Sequence, residues 1–332
     1  MKTYNNLYER IYSFDNLHQA YLKARKNKRY KNDVLEFTSN LEENLITIQN
    51  ELIYEAYTPS RYNEFLVTDP KERLILALPF RDRVVHQAIC SVIEPLFEKT
   101  FIKDSYACRK NKGTLAGVKR MEYFLKQNIK DSKEVFCLKM DIQKYFYSID
   151  HETVKRFLRR KIRCKRTLKL LNIIIDSTDN PGIPVGNLTS QLFANIYMNY
   201  LDHFIKETLR IKYYVRYMDD MVILYKDKKQ LWRWLSEIRN FIEKELKLVL
   251  NKKTSIFSIK RGIDFLGYRQ FPGVRILRKR VMVKNLKKFR KFNKAGASPD
   301  KVNKSLASLQ GLCKHCSSGK FMGKIGSIIS NG

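Results

Sequence analysis

Apolar positions along this chain change their period several times, and each change predicts an element. From Leu7 to Tyr54 they recur every three or four residues, as in Leu41, Leu45, Ile48 and Leu52, which predicts helix. Thr58-Pro59 ends that pattern, because proline cannot continue a helix. Phe65-Leu66-Val67 and Leu74-Ile75-Leu76-Ala77-Leu78 read as short strands around a Thr68-Asp69-Pro70-Lys71 turn, a hairpin carrying Lys71 and Arg73. Asp82 then precedes a helix with Val84, Val85, Ile89, Val92, Ile93 and Leu96 on one face. The short apolar run from Val135 to Met140 suits a buried strand that ends at Asp141. After the Asn180-Pro181-Gly182 loop, Asn187 or Ser190 begins a helix with Leu192, Ile196, Tyr200 and Phe204 on one stripe. Tyr213-Tyr214-Val215 and the run from Met221 to Tyr225 flank Met218-Asp219-Asp220, a hairpin with two carboxylates at its tip. Leu231 to Leu246 is a further amphipathic helix, and beyond Phe271-Pro272-Gly273 the chain becomes basic and helical. No fixed-period repeat is visible.

Composition sharpens this picture. In 332 residues, 44% hydrophobic and 12% aromatic content excludes a disordered basic protein, since it fills a sizeable core. The length suits about two domains, or one domain with lobes. The net charge is +32, and it is uneven: residues 226–332 hold 27 Lys and Arg against 6 Asp and Glu, a net +21. Such an excess calls for a polyanion, nucleic acid first, with an acidic membrane surface as the rival. The chain has no apolar run long enough to span a bilayer, and its start lacks the apolar stretch of a secretion signal. Six cysteines are too sparse for a disulfide framework. These features together predict a reduced, cytoplasmic protein.

Chemistry enters with the carboxylates. Adjacent aspartates repel unless a cation compensates them. Asp141, at the end of a separate strand, makes a third hard oxygen donor beside Asp219 and Asp220. Such a set suits Mg²⁺, which takes carboxylates, waters and substrate phosphates together. Two ions about 3.5–4 Å apart would clamp the attacking and leaving oxygens of an in-line phosphoryl transfer. Tyr-x-Asp-Asp alone is just as well a surface turn, so the context decides.

Asp141-Ile142-Gln143-Lys144-Tyr145-Phe146, Gly186-Asn187-Leu188-Thr189-Ser190-Gln191, Tyr217-Met218-Asp219-Asp220, Asn251-Lys252-Lys253-Thr254 and Phe265-Leu266-Gly267-Tyr268 follow one another in this order. In that order they resemble the palm motifs of reverse transcriptases. Upstream, Pro70 to Ile75, Phe80 to His86 and Asp104 to Arg109 resemble the fingers of the bacterial group. The resemblance covers roughly residues 60–270 and implies an α/β (α+β) right-hand polymerase. Its parts would be an N-terminal helical segment (1–60), fingers (61–134), a palm with an antiparallel sheet (135–270) and a short basic helical thumb (271–332). Most of the family carry Gln-Gly where this chain has Val185-Gly186, and Ser-Pro where it has Ser190-Gln191. That pairing is similar to the reverse transcriptases of diversity-generating retroelements, which copy a template-repeat RNA with errors at adenines. The alternatives are a retron-like or group II intron-like enzyme, or a non-catalytic RNA-binding or defence protein on the same fold.

The resemblance also implies roles. Asp141, Asp219 and Asp220, with the carbonyl of Ile142, would hold two Mg²⁺, Mn²⁺ being a possible substitute. Arg73 and Lys71 would reach the triphosphate. Val185, Gly186 and Gln191 would line the nucleotide site, where valine loses the polar contacts of a glutamine. Phe146 aligns with the aromatic that excludes a ribose 2′-OH, the alternative being ordinary core. Lys253 matches a lysine that protonates pyrophosphate, the alternative being one more surface cation. Phe265, Leu266, Gly267 and Tyr268 look like the primer grip. The implied partners are template RNA and its RNA/DNA hybrid, dNTPs, and a small, basic, oligomeric accessory variability protein, in a bacterial or phage-encoded setting. Cys313-Lys314-His315-Cys316 reads as helix packing rather than a zinc site, because the other cysteines lie far off and singly.

Overall fold

The computed structural model describes residues 2–68 and 72–330. The first helical stretch divides into α1 (Tyr8–Tyr12), α2 (Phe14–Ala24), α3 (Asn32–Ser39) and α4 (Leu41–Ile53). Their buried Leu17, Tyr21, Leu45, Ile48 and Leu52 pack with Val84, Val85 and Ile89 of α5 (Phe80–Glu98). That helix starts three residues earlier than its sequence pattern suggested. Pro79 sits at the N-cap, and Asp82 falls inside the first turn, fully buried. The Tyr57 hydroxyl donates to Asp82 Oδ1 at 2.8 Å and Arg81 Nη1 reaches the same oxygen at 3.3 Å, in place of the water that a buried carboxylate oxygen would otherwise need. Tyr57→Phe removes the hydroxyl donor and should cost about 1–3 kcal/mol of stability. Urea unfolding measures it; an unchanged midpoint would mean that Asp82 is satisfied without the hydroxyl.

The strands β1 (Asn63–Val67) and β2 (Arg73–Ala77) pair antiparallel, with Val67 opposite Arg73. Lys71 lies outside the described residues. After α6 (Thr114–Asp131) comes β3 (Phe136–Met140), the expected buried strand, followed by α7 (His151–Arg159) and α8 (Lys165–Ile175). The helix α9 (Leu188–His203) has Asn187 at its N-cap and runs on through a π-helical turn, Phe204–Thr208. The hairpin β4 (Tyr214–Tyr217) and β5 (Asp220–Tyr225) precedes α10 (Lys228–Leu246) and β6 (Ser255–Ser258).

These strands form one antiparallel sheet in the order β4-β5-β3-β6, with Met140 opposite Met221 and Tyr217 opposite Asp220. Leu138, Met140, Met221 and Ile223 face a core shared with Phe193 and Tyr197 of α9. The alternate residues Cys137, Val222 and Leu224 face Met121 and Phe124 of α6. Burial on both faces explains why β3 and β5 read as near-continuous apolar runs rather than alternating ones.

Beyond Phe271-Pro272-Gly273 the basic helices begin later than expected, because another strand intervenes. β7 (Ile263–Phe265), β8 (Tyr268–Phe271) and β9 (Val274–Leu277) form a second antiparallel sheet, with Phe271 opposite Val274. Only then do α11 (Lys279–Lys294), α12 (Pro299–Cys313) and α13 (Gly319–Ser330) follow. They close over their own core of Phe289, Leu309, Cys313, Phe321 and Ile325. The architecture is therefore mixed α/β with antiparallel sheets, as the sequence suggested. Among the described residues no helix is long and apolar enough to cross a membrane.

Candidate active site

The end of β3 and the tip of the β4–β5 hairpin bring Asp141 and Asp219 together. The segment after β3 is stitched to the one before β6. Asn251 N–H donates to the Asp141 carbonyl at 2.7 Å, and its Nδ2 donates to Asp141 Oδ2 at 3.2 Å. Gln143 N–H donates to the Val249 carbonyl at 2.9 Å, and Ile142, buried, bridges Leu250 between them. Asn251 Oδ1 in turn accepts from Lys253 N–H at 3.0 Å, so the Asn251–Thr254 motif is a turn that aims one carboxylate. The Lys253 side chain stands exposed on it.

At the hairpin tip Met218 adopts φ +56°, a left-handed conformation that L-residues rarely hold. Asp219, next in the chain, has its pKa pushed up to about 7, first by burial and then by the negative charge of Asp141 beside it. Asp220 is raised as well by burial, but here a cation opposes the shift. Lys139 Nζ donates to Asp220 Oδ1 at 2.8 Å and to the Asp264 carbonyl at 2.6 Å. The two-residue alternation of strands puts Lys139 and Asp220 on one face of the sheet. The three carboxylates thus divide: Asp141 and Asp219 confront each other, while Asp220 is drawn to Lys139. Among the described residues no three His, Cys, Asp or Glu side chains converge as a ready ligand set. Two uncompensated carboxylates are nonetheless a donor set that Mg²⁺ accepts, since it is commonly held by one or two carboxylates together with substrate phosphates.

A second group of expected residues meets at β2. Leu76 N–H donates to the Val185 carbonyl at 3.2 Å, and the Tyr147 hydroxyl donates to the Leu74 carbonyl at 3.0 Å. Gly186, at φ +125°, lies so close beneath β2 that an added Cβ would stand 3.3 Å from Ile75 Cγ2. Ile183 N–H donates to the Phe146 carbonyl at 2.9 Å. The stretch from Ile183 to Gly186 is therefore tied at one end to the Phe146 backbone and at the other to β2. Phe146 itself is half-buried, edge-on to Tyr145 with ring centroids 5.6 Å apart. Arg73 is exposed at the start of β2.

Gln191 meets this group through Gly186: the two line a cavity of about 270 Å³ together with Lys23, Lys26, Lys28, Arg83 and His86. His86 is buried, which pushes its pKa down to about 4 and keeps it neutral. Its Nδ1 pairs with Thr189 Oγ1 at 2.8 Å, and its Nε2 has no partner.

Phe265-Leu266-Gly267-Tyr268 is the β7–β8 turn, with Leu266 at φ +51° and Gly267 at +86°. Positive φ at both central residues matches the twist of a tight hairpin and explains the glycine. Phe265 and Tyr268 point into the core, and the Tyr268 hydroxyl donates to the Leu312 carbonyl of α12 at 3.1 Å. Sequence reasoning missed Lys139, a charged residue inside an apolar run, which was the available signal.

An antiparallel sheet with acidic residues at one strand end and on the adjoining hairpin is the palm arrangement that the order of the motifs implied. The chain belongs to the reverse transcriptase (RNA-dependent DNA polymerase) family, whose pattern matches residues 68–270. It is 25% identical over 266 residues to Protein YkfC of Escherichia coli K12, covering 67% of this chain and 70% of that one. It is 22% identical over 302 residues to the group II intron-encoded protein LtrA of Lactococcus lactis subsp. cremoris, covering 68% of this chain and 49% of LtrA. The chain thus spans about half of LtrA's length. An apo telomerase structure from Candida tropicalis superposes with a TM-score of 0.52 at 11% identity, over 82% of this chain and 62% of that one. At that identity the likeness speaks for the fold. The enzyme class is RNA-directed DNA polymerase.

Proposed function

We propose that this polymerase is the error-prone reverse transcriptase of a diversity-generating retroelement, copying a template-repeat RNA into cDNA with misincorporation at adenines. The observation that carries the reading is Val185, an apolar residue whose carbonyl accepts from β2 and which precedes the closely packed Gly186. A glutamine there could hydrogen-bond the incoming nucleotide; valine offers only shape. Losing a polar contact at a discriminating site narrows the energetic gap between right and wrong substrates. Val185→Gln should lower misincorporation opposite adenine about tenfold, the scale of a single lost contact of about 1.4 kcal/mol. Deep sequencing of cDNA made on a defined RNA measures it. An unchanged error spectrum would favour the second reading, a group II intron-like enzyme, which the similarity to LtrA supports.

In this reading Asp141 and Asp219, with the Ile142 carbonyl, hold divalent cations, Mg²⁺ or Mn²⁺. Bound there, such ions supply an acidified primer hydroxyl and charge neutralisation of the triphosphate. The protein's own residues do the rest. Asn251 orients Asp141, and Lys139 orients Asp220. Arg73, and Lys71 by resemblance, contact the triphosphate as charge-assisted donors. Phe146 presses on the sugar. Lys253 is assigned as proton donor to pyrophosphate by resemblance, and the β7–β8 turn as primer grip. The cavity of Lys23, Lys26, Lys28, Arg83, His86 and Gln191 supports a path for the template strand, its cations meeting phosphates. The helices from Lys279 onward form the thumb, α11 presenting Lys287, Arg290, Lys291 and Lys294 around one cavity. The accessory variability protein and the bacterial or phage setting belong to the same proposal and rest on the resemblance.

A further inference from the structure

Arg216 is the bulkiest of the fully buried side chains, and its partner Asp202, on α9, is equally without exposed surface. A guanidinium has five N–H donors, and five acceptors surround this one. Nε donates to Asp202 Oδ1 at 2.7 Å and Nη2 to Asp202 Oδ2 at 2.6 Å, a bidentate pair. Nη2 also donates to Ser105 Oγ at 3.0 Å, and Nη1 to Asn195 Oδ1 at 3.4 Å. The fifth bond runs from Nη1 to the Met218 carbonyl at 2.9 Å. The Tyr214 hydroxyl adds a donor to Asp202 at 2.7 Å. The backbone of Arg216 is pinned too: its N–H donates to the Asp104 carbonyl at 2.9 Å, and its carbonyl accepts from Tyr106 N–H at 3.0 Å.

We propose that Arg216 and Asp202 are positioning residues for the β4–β5 hairpin, fixing the Met218 carbonyl and through it the direction of Asp219. Three observations converge on this. Met218 is the one acceptor in the set that belongs to the hairpin tip, and it holds a left-handed φ that needs an external restraint. Asp219 is the next residue, so a rotation of the Met218–Asp219 peptide moves its carboxylate directly. The pair is also a poor investment in stability alone, because replacing a buried ion pair with well-packed apolar side chains is often neutral or stabilising. Ser105 and the Asp104–Tyr106 backbone, from a stretch that resembled a fingers motif in the sequence, act here as a brace along β4. The proposal rests on reading Asp219 as a catalytic carboxylate.

Two variants test it. Arg216→Lys keeps the charge opposite Asp202, but one ammonium cannot span both Asp202 and the Met218 carbonyl. The double variant Asp202→Leu with Arg216→Met removes the pair and keeps the volume. For both, single-nucleotide incorporation on an RNA template should show kcat lowered about a hundredfold, the scale of a displacement of about 1 Å at a reacting centre. The KM for template–primer should stay within about threefold, and Mn²⁺ affinity, followed by electron paramagnetic resonance without nucleic acid, should fall. The double variant should melt at or above the wild-type temperature. Wild-type kcat and Mn²⁺ affinity in either folded variant would overturn the proposal. So would a double variant that fails to fold, which would make the pair a stability element. If the wild type itself incorporates no nucleotide, the catalytic reading falls, and Mn²⁺ affinity alone decides whether Arg216 positions Asp219.

Discussion

Replacing Asp219 with asparagine should reduce nucleotide incorporation by about a thousandfold or more, the loss of about 4 kcal/mol of transition-state stabilisation. Asparagine keeps the shape of the tip and removes the charge that a cation would use. The same substitution should have an opposite effect on stability. The Asp219 pKa sits near 7, above the ordinary carboxylate range, through burial and the nearby Asp141 charge. Between roughly pH 4 and pH 7 the folded protein therefore binds more protons than the unfolded chain. Stability from this group is then complete at low pH and is lost as pH rises through that window. In the presence of a chelator, the variant should gain on the wild type by about 1–3 kcal/mol on going from pH 5 to pH 8. Mg²⁺ added at pH 8 should close the gap, by binding only the wild-type carboxylates. Chemical unfolding at the two pH values reads the difference directly. A gap independent of pH would mean that Asp141 and Asp219 are solvated and apart, and activity indifferent to the substitution would favour a non-catalytic RNA-binding protein.

Phe146→Ala should admit ribonucleotides, raising the rNTP-to-dNTP ratio of kcat/KM by about a hundredfold, equivalent to about 2.7 kcal/mol of lost exclusion. The ring is only half-buried, and its carbonyl is tied to Ile183 two residues before Val185. A residue that served only as core would show a different pattern: a lower melting temperature with sugar selectivity intact. Competition between ATP and dATP opposite a single template uracil separates the two outcomes. Unchanged selectivity returns Phe146 to the core.

Much of the fold was legible because period survives in a single sequence. β3, β5 and the hairpin tip were marked by apolar runs broken at carboxylates, and α9 and α10 by their stripes. The start of α5 was misjudged because Asp82 looks like a cap, whereas Pro79 opens the helix and the buried acid meets Tyr57 and Arg81 instead. β9 was invisible for a tertiary reason. Val274-Arg275-Ile276-Leu277 is short, lies in a basic stretch, and is a strand because β8 supplies its partner. The candidate site divides in the same way. Asp141, Asp219 and Asp220 could be named from sequence, but their inequality could not, since Lys139 stands 81 positions from Asp220. Asp202 and Arg216 each break an apolar pattern, yet nothing in the pattern says that they face each other.

The hydrogen bond that joins β2 to residue 185 uses the carbonyl of that residue and not its side chain. On the proposed reading, substitution at 185 would change what the nucleotide meets while leaving the hairpin's mooring intact. In the proposed role, accuracy and assembly are then separately heritable. A lineage could drift toward carelessness or back to precision by single codon changes, with no compensating repair elsewhere in the chain.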